Sequence, residues 1–392
     1  MDLENTYGAH NYHPIPVVIS KAEGVWVWDP EGRKYMDCLS SYSAVNQGHR
    51  HPKIIKALND QADRVTLTSR AFHNDMLGPY LKRLTEYTQM DVALPMNTGA
   101  EAVETAIKIA RKWGYVKKGV ADDQAEIITC EENFHGRTTT IVGFSTDPVA
   151  RNGFGPATPG FKIIPYNDAD ALEAAITENT VGFLVEPIQG EAGVKVPDPG
   201  YLRKIKSICE KHNVLLMLDE VQTGFCRTGK TFAWMHENTK PDILMVGKAL
   251  GGGVYPVSAA LASNDVMSVI GPGEHGSTFG GNPVACAVAT AALDVLVDEN
   301  LDEKSEVLGE RFRKGLRELN SKKITEIRGM GLLNAIDIDP AAGMARVYTE
   351  KLKDLGVLAK ETHESTIRFA PPLIIDEDQI DWLVETIGKA LA

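Results

Sequence analysis

The chain has 392 residues, 43% of them hydrophobic and 24% charged, which is enough apolar material for a large packed core and excludes a disordered or fibrous protein. Asp and Glu outnumber Lys and Arg by 53 to 41, and the resulting net charge of −12 offers no global attraction to nucleic-acid phosphates or anionic membranes. Its five cysteines, Cys38, Cys130, Cys209, Cys226 and Cys286, contain no C-x-x-C pair and fit free thiols in a reducing compartment better than a disulfide framework.

The first twenty residues hold no Lys or Arg and no apolar block, so neither a secretory nor an Arg-rich transit peptide is expected, and the expected compartment is the cytoplasm. Pro14, Pro16 and Pro30 break up residues 1–45. Val25-Trp26-Val27-Trp28 followed by Asp29-Pro30-Glu31-Gly32 predicts a hairpin within an irregular arm that packs with the C-terminal part. The middle of the chain then alternates strand-like runs with helical periodicity. Ile127–Thr129, Gly182–Val185, Val214–Leu218 and Ile243–Val246 read as strands, while Val103, Ile107, Ala110 and Leu202, Ile205, Cys209 read as buried helix faces. That pattern predicts an α/β fold with a mostly parallel sheet sandwiched by helices across residues 46–294. From residue 295 onward, Leu308, Phe312, Leu316 and then Ile380, Val384, Ile387 mark amphipathic helices around short strands at Leu332–Ile338 and Thr366–Phe369. Residues 295–392 are expected to form a smaller α+β domain. The longest apolar stretch, Val284 to Leu293, is broken by Thr290 and too short to span a membrane.

Two motifs mislead. Gly224-Phe-Cys-Arg-Thr-Gly229-Lys230-Thr231 spells the phosphate-binding loop G-x-x-x-x-G-K-[ST], but five residues separate it from the preceding apolar run and Pro241 truncates the helix that it should open. A nucleotide-binding protein using Lys230 is therefore a remote alternative. Gly271-Pro-Gly273-Glu-His-Gly276 spells G-x-G-x-x-G yet runs on into more loop residues, and no Cys/His set has metal-ligand spacing.

Three other features converge. Asn97-Thr98-Gly99-Ala100-Glu101 opens a helix with a T-x-x-E capping box, a place where backbone amides can hold an anion. Asp219 follows five apolar residues and could hold a cation. Lys248 lies just past another buried strand, where desolvation would lower its pKa and suit it to Schiff-base chemistry. Each alone reads as structural. Together they supply a phosphate cup, a partner for a protonated ring nitrogen and an aldehyde-binding lysine, the requirements of pyridoxal phosphate.

The run Leu218-Asp-Glu-Val-Gln-Thr-Gly-Phe-Cys-Arg-Thr-Gly-Lys230 is similar to the signature of the class III, fold-type-I pyridoxal-phosphate aminotransferases, and the chain resembles that family over essentially its full length. Ser40-Ser-Tyr-Ser-Ala-Val-Asn-Gln-Gly-His49, Val185-Glu-Pro-Ile-Gln-Gly-Glu-Ala-Gly193 and His275-Gly-Ser-Thr-Phe-Gly-Gly-Asn-Pro283 resemble the ornithine-specific branch most. The resemblance implies transfer of the δ-amino group of L-ornithine to 2-oxoglutarate in a ping-pong reaction. The products would be glutamate and glutamate-5-semialdehyde, which cyclises to pyrroline-5-carboxylate. N-acetylornithine or 4-aminobutyrate are the alternative substrates within the class.

Roles are implied residue by residue. Lys248 would take the cofactor aldehyde and shuttle protons, and Asp219 would pair with the ring nitrogen. Phe134 and Val221 would flank the ring, with Gln222 at its hydroxyl oxygen and Glu186 and His135 nearby. Thr98, Gly99 and Ala100 would form the phosphate cup, and Thr278 would reach the phosphate of a neighbouring subunit in a homodimer. Arg137, Tyr12 and Tyr42 would hold ornithine's α-carboxylate and α-amine. Arg368 would bind the second carboxylate of 2-oxoglutarate, with Glu191 covering it while ornithine reacts. His135 departs from the Trp common in the ornithine branch. Without the resemblance, Glu191 and Arg368 read as solvated surface charges.

Overall fold

The predicted strands fall into three sheets in a computed structural model that describes residues 1–392. Near the N-terminus lie β1 (Lys21–Glu23), β2 (Trp26–Trp28) and β3 (Lys34–Asp37). The middle of the chain supplies β4 (Val92–Met96), β5 (Glu126–Cys130), β6 (Phe161–Ile164), β7 (Thr180–Val185), β8 (Leu215–Asp219), β9 (Ile243–Val246) and β10 (Ser258–Ala262). The C-terminal part supplies β11 (Ile324–Met330), β12 (Leu333–Ile338), β13 (Val357–Leu358), β14 (Lys360–Thr362) and β15 (Thr366–Phe369).

The central sheet has the order β4-β10-β9-β8-β7-β5-β6, and only β10 runs against the others. Its inner strands β7, β8, β9 and β10 are buried on both faces, so they read as continuous apolar runs rather than alternating ones. Leu216, Leu218, Leu244 and Val246 point into one core with Leu202 and Ile205 of the helix Tyr201–Lys211, while Leu215, Met217, Ile243 and Met245 point into another with Val103 and Ile107 of the helix Gly99–Trp113. Helices therefore cover both faces, as the alternation predicts.

Strand boundaries move where a preceding turn claims a residue. Val214 lies outside β8 because its amide donates to the Cys209 carbonyl, closing the turn after the helix Tyr201–Lys211. The Val25–Trp28 hairpin forms, and β3 then pairs in parallel with the two-residue β13, joining the N-terminal sheet to residues from the far end of the chain. A separate antiparallel sheet, β11-β12-β15-β14, is covered by the helices Leu301–Glu318 and Ala345–Asp354, on which the helix Glu377–Leu391 packs in turn. No helix is long and apolar enough to cross a membrane.

The nucleotide-loop look-alike is a string of turns. Glu220, fully buried, accepts hydrogen bonds from Thr223 Oγ1 at 2.7 Å and from the amides of Ala233 and Trp234 at 2.8 Å, folding the segment back on itself, while Lys230 pairs with Glu306 at 2.9 Å.

Candidate active site

Parallel strands bring their carboxyl ends to one edge of the sheet, where open α/β folds gather ligands. Here that edge carries Asn97-Thr98 after β4, Glu186 after β7, Asp219 at the end of β8 and Lys248 two residues past β9. Between them opens a cleft lined by Gly99, Ala100, Phe134, His135, Glu186, Glu191, Asp219, Val221, Gln222 and Lys248. These are ten of the sixteen residues assigned to the site from sequence.

The helix Gly99–Trp113 starts at the cleft with both halves of the expected capping box. Glu101 N–H donates to Thr98 Oγ1 at 3.2 Å, and the Thr98 amide donates to Glu101 Oε2 at 2.7 Å. Burial works against ionising Glu101, but the amides of Thr98 and Asn97 outweigh it and hold the carboxyl below its ordinary pKa. Thr98 is thus spent on the cap and does not line the cleft. The amides of Gly99 and Ala100 come first in the helix and have no intrahelical acceptor, which leaves them and the positive end of the helix dipole for an anion. A Cβ on Gly99 would sit 2.9 Å from Val221 Cγ1, so only glycine lets the helix start this close to the cleft floor.

Asp219 is buried, and its carboxylate is held from two sides. Val221 N–H donates to Oδ1 at 3.0 Å, and His135 Nδ1 lies 2.7 Å from Oδ2. His135 Nε2 is buried with no partner, while at Nδ1 the Asp219 carboxylate can only accept, so the ring donates there. The packing question posed by a histidine at this position is answered by a hydrogen bond. Burial lowers the Lys248 pKa against the opposing pull of the Glu191 and Asp219 carboxylates. The Lys248 backbone has φ 45, a left-handed conformation that side chains enter only when the surroundings enforce it. Glu186 accepts from the Phe134 amide at 3.0 Å, yet burial and the nearby Asp219 carboxylate raise its pKa well above the usual range.

The two expected arginines stand apart. Arg368, on β15, is buried and donates from Nη1 to Glu191 Oε1 at 2.7 Å and to the Gly190 carbonyl at 3.3 Å; its Nε has no partner. Burial disfavours the Glu191 carboxylate, but the Arg368 charge prevails and holds its pKa at about 2. The surface-charge reading of this pair is therefore wrong: they meet across 177 positions because β15 and the loop after β7 face each other, a contact no local pattern reveals. Tyr42 lies over Arg368, with 5.7 Å from guanidinium carbon to ring centroid. Arg137 lines a wider vestibule that shares Phe134, His135 and Glu191 with the cleft, and its Nη1 is 3.5 Å from the hydroxyl of Tyr12, itself 61% exposed. Thr278 lies outside the cleft, exposed beside a second cavity with Leu67 and Arg70.

Sequence reading passed over Gly136, Ile188, Gly190 and Thr223, all at or beside the cleft. Gly190 lies within the Val185–Gly193 run already noted, and Gly136 sits between the named His135 and Arg137. Gly136 has φ 131 and would press a Cβ to 2.9 Å from that of Ala100; at Gly190 a Cβ would fall 1.5 Å from Gln222 Oε1.

The donor set fits pyridoxal phosphate. First-turn amides face a phosphate position, an oriented carboxylate can hold a protonated ring nitrogen, and a half-buried amine of lowered pKa lines the same cleft. Gln222 Oε1 and His135 Nε2 remain unpartnered at the cleft wall. No group of His, Cys, Asp and Glu side chains is arranged to hold a metal.

The sequence model of the family described as aminotransferase class-III matches residues 7–391. An ornithine aminotransferase of Brevibacillus brevis is 59% identical over 385 residues, 98% of this chain and 96% of the relative. Among solved structures, the ornithine aminotransferase of Toxoplasma gondii, with pyridoxal phosphate at partial occupancy in its active site, superposes with TM-score 0.98 at 49% identity, covering 100% of this chain and 92% of that one. The acetylornithine aminotransferase of Elizabethkingia anophelis reaches TM-score 0.91 at 53% identity, covering 100% and 97%.

Proposed function

The chain belongs to the class-III aminotransferase family and works with pyridoxal 5′-phosphate, and on that premise we propose that it transfers the δ-amino group of L-ornithine to 2-oxoglutarate. Ornithine aminotransferase activity follows from full-length likeness to curated relatives at 59% identity. The observation that carries the two-substrate reading is the buried Arg368–Glu191 pair beside Lys248, set against a second, open arginine, Arg137, in the vestibule. An amino acid reacting through its far amine needs one carboxylate clamp, whereas 2-oxoglutarate needs two, and a bidentate guanidinium suits each.

In this reading Gly99 and Ala100 would hold the phosphate, Asp219 the ring nitrogen, Phe134 and Val221 would flank the ring, and Lys248 would take the aldehyde. When bound, the cofactor supplies that aldehyde and a ring that withdraws electrons from the amine-bearing carbon. Once ornithine's δ-amine has replaced it at the aldehyde carbon, the freed Lys248 Nζ, easier to deprotonate because of burial, would take the proton from the δ-carbon of ornithine. Arg137 and Tyr12 hold the α-carboxylate and α-amine away from it. Glu191 covers the Arg368 charge while ornithine reacts and releases it for the oxoacid. Residues 1–45 act as an arm, 46–294 as the cofactor-binding domain and 295–392 as the small domain. Two copies form a dimer in which Thr278 of each reaches the other's phosphate site. Five buried, unpaired thiols are consistent with a cytoplasmic setting.

N-acetylornithine is the second reading, favoured by the 53% identity to the Elizabethkingia anophelis enzyme. Tyr12 weighs against it, since an acylated nitrogen gains little from that hydroxyl. Titrating the yellow protein with each amine decides: bleaching by L-ornithine but scarcely by N-acetylornithine or 4-aminobutyrate supports the proposal, and the reverse order replaces it. Tyr12→Phe should weaken ornithine selectively.

A further inference from the structure

Glu191 is held by more than Arg368. Gln222, on the loop after β8, places its amide nitrogen 3.2 Å from Glu191 Oε1, the same oxygen that Arg368 Nη1 approaches at 2.7 Å, and 3.5 Å from the Tyr42 carbonyl. Both neighbours are acceptors. A flipped amide would set oxygen against oxygen twice, so the orientation with nitrogen toward Glu191 is the one the surroundings enforce. The other end of the amide is wedged. Gln222 Oε1 is buried without a partner, and a Cβ on Gly190 would fall 1.5 Å from it and 2.6 Å from Gln222 Cδ. Gly190 has no left-handed backbone requirement, so its bare Cα serves as a seat for this side chain next to the gate residue. The Glu191 main chain is also fixed, its carbonyl accepting from Thr362 Oγ1 at 2.8 Å, so gate movement is confined to the side chain.

We propose that Gln222, seated on Gly190, is a positioning residue that latches Glu191 over Arg368 and so sets how readily the site admits a dicarboxylate. The inference rests on the reading above that Arg368 receives the second carboxylate of the oxoacid. Opening the gate breaks two bonds to Glu191 Oε1 rather than one. The amide has two N–H groups, and the cofactor's ring oxygen would be a third acceptor beside Glu191 and the Tyr42 carbonyl. If the open form is a minor population, removing one hydrogen bond to a carboxylate raises that population, and the apparent dicarboxylate affinity, on the order of tenfold.

The test is calorimetric binding of glutarate, which has both carboxylates of the oxoacid and no reactive carbonyl, to cofactor-saturated enzyme. Gln222→Met keeps the length and removes both donors; Gly190→Ala dislodges the amide from outside. Both are expected to bind glutarate about tenfold tighter and to lower the KM for 2-oxoglutarate, whereas general damage to the site would weaken binding. Arg368→Gln should abolish glutarate binding. If it does and both latch variants keep wild-type affinity, the latch is overturned while the Arg368 assignment stands. If Arg368→Gln binds glutarate as wild type does, that assignment fails and the latch falls with it.

Discussion

A carboxylate that must stay ionised in a buried cleft needs donors that fix it without neutralising it. Asp219 has a backbone amide on one oxygen and His135 Nδ1 on the other. His135→Phe keeps the aromatic volume and deletes the bond, and cofactor affinity is expected to fall about tenfold, the usual worth of a hydrogen bond to a charged group. His135→Asn, whose amide nitrogen occupies nearly the Nδ1 position, should recover much of the loss. Titrating cofactor into the stripped protein measures both; equal dissociation constants for wild type and the Phe variant would reduce His135 to a space filler. The residue type at 135 was legible as a departure from the family, but its partner 84 positions away was not. Lys248 and Asp219 were legible because a charge at the end of an apolar run stands out locally. Glu191 and Arg368 were not, since neither sits in such a run and only the resemblance singled them out.

Elements that close on themselves read more easily than those that depend on distant partners. The T-x-x-E box at Thr98–Glu101 is complete within four residues, and the structure forms both of its bonds. Thr98→Ala removes the acceptor for the Glu101 amide, which should cost about 1 kcal/mol of local helix stability and speed amide exchange across the first turn of Gly99–Trp113 by about fivefold. Unchanged exchange there would mean that the contacts of this helix with β9 and β10, not the box, hold the turn. The segment Ser40–Ser43 shows the opposite case. Its four residues have φ of 49, 47, 59 and 69, a left-handed turn without a single glycine. Such a turn costs about 1–2 kcal/mol per residue and persists only where tertiary contacts hold it. Here Asp37 Oδ1 accepts the amides of Leu39 and Ser40, and Ser40 Oγ donates to the Ala370 carbonyl, 330 positions away. Ser-Ser-Tyr-Ser carries no turn signal, so sequence placed Tyr42 in the pocket only by likeness, and the backbone that puts its ring over Arg368 was invisible.

Across the whole molecule, period and length pointed to a mostly parallel sheet with helices on both sides, but the strand order and the reach of β3 to β13 depend on pairings that no local pattern encodes. Thr278 poses the remaining problem at this scale. It sits on an exposed loop outside the cleft of its own chain, flanked by Phe279 at 48% exposure and facing a cavity rimmed by Leu67, itself 37% exposed. The loop is nevertheless rigidly mounted. Ser277 Oγ accepts from the Asn97 side chain at 2.9 Å, and His275 bonds Thr105 and Lys108 on the helix whose first turn faces the cleft. A hydroxyl carried this way serves either its own site or the site of a second copy, and a mixed assembly separates the two. Lys248→Ala subunits keep Thr278 but lose the aldehyde-binding amine; Thr278→Ala subunits keep the amine. In a heterodimer of the two, sharing across the interface gives the second subunit's site an intact Lys248 and the first subunit's Thr278, so it should bind cofactor with wild-type affinity. Service within one chain leaves that same site with Lys248 but no Thr278, and its affinity would stay at the level of the Thr278→Ala homodimer. Since the Lys248→Ala site forms no lysine-linked band in either case, the visible band of the purified heterodimer reports on that one site alone.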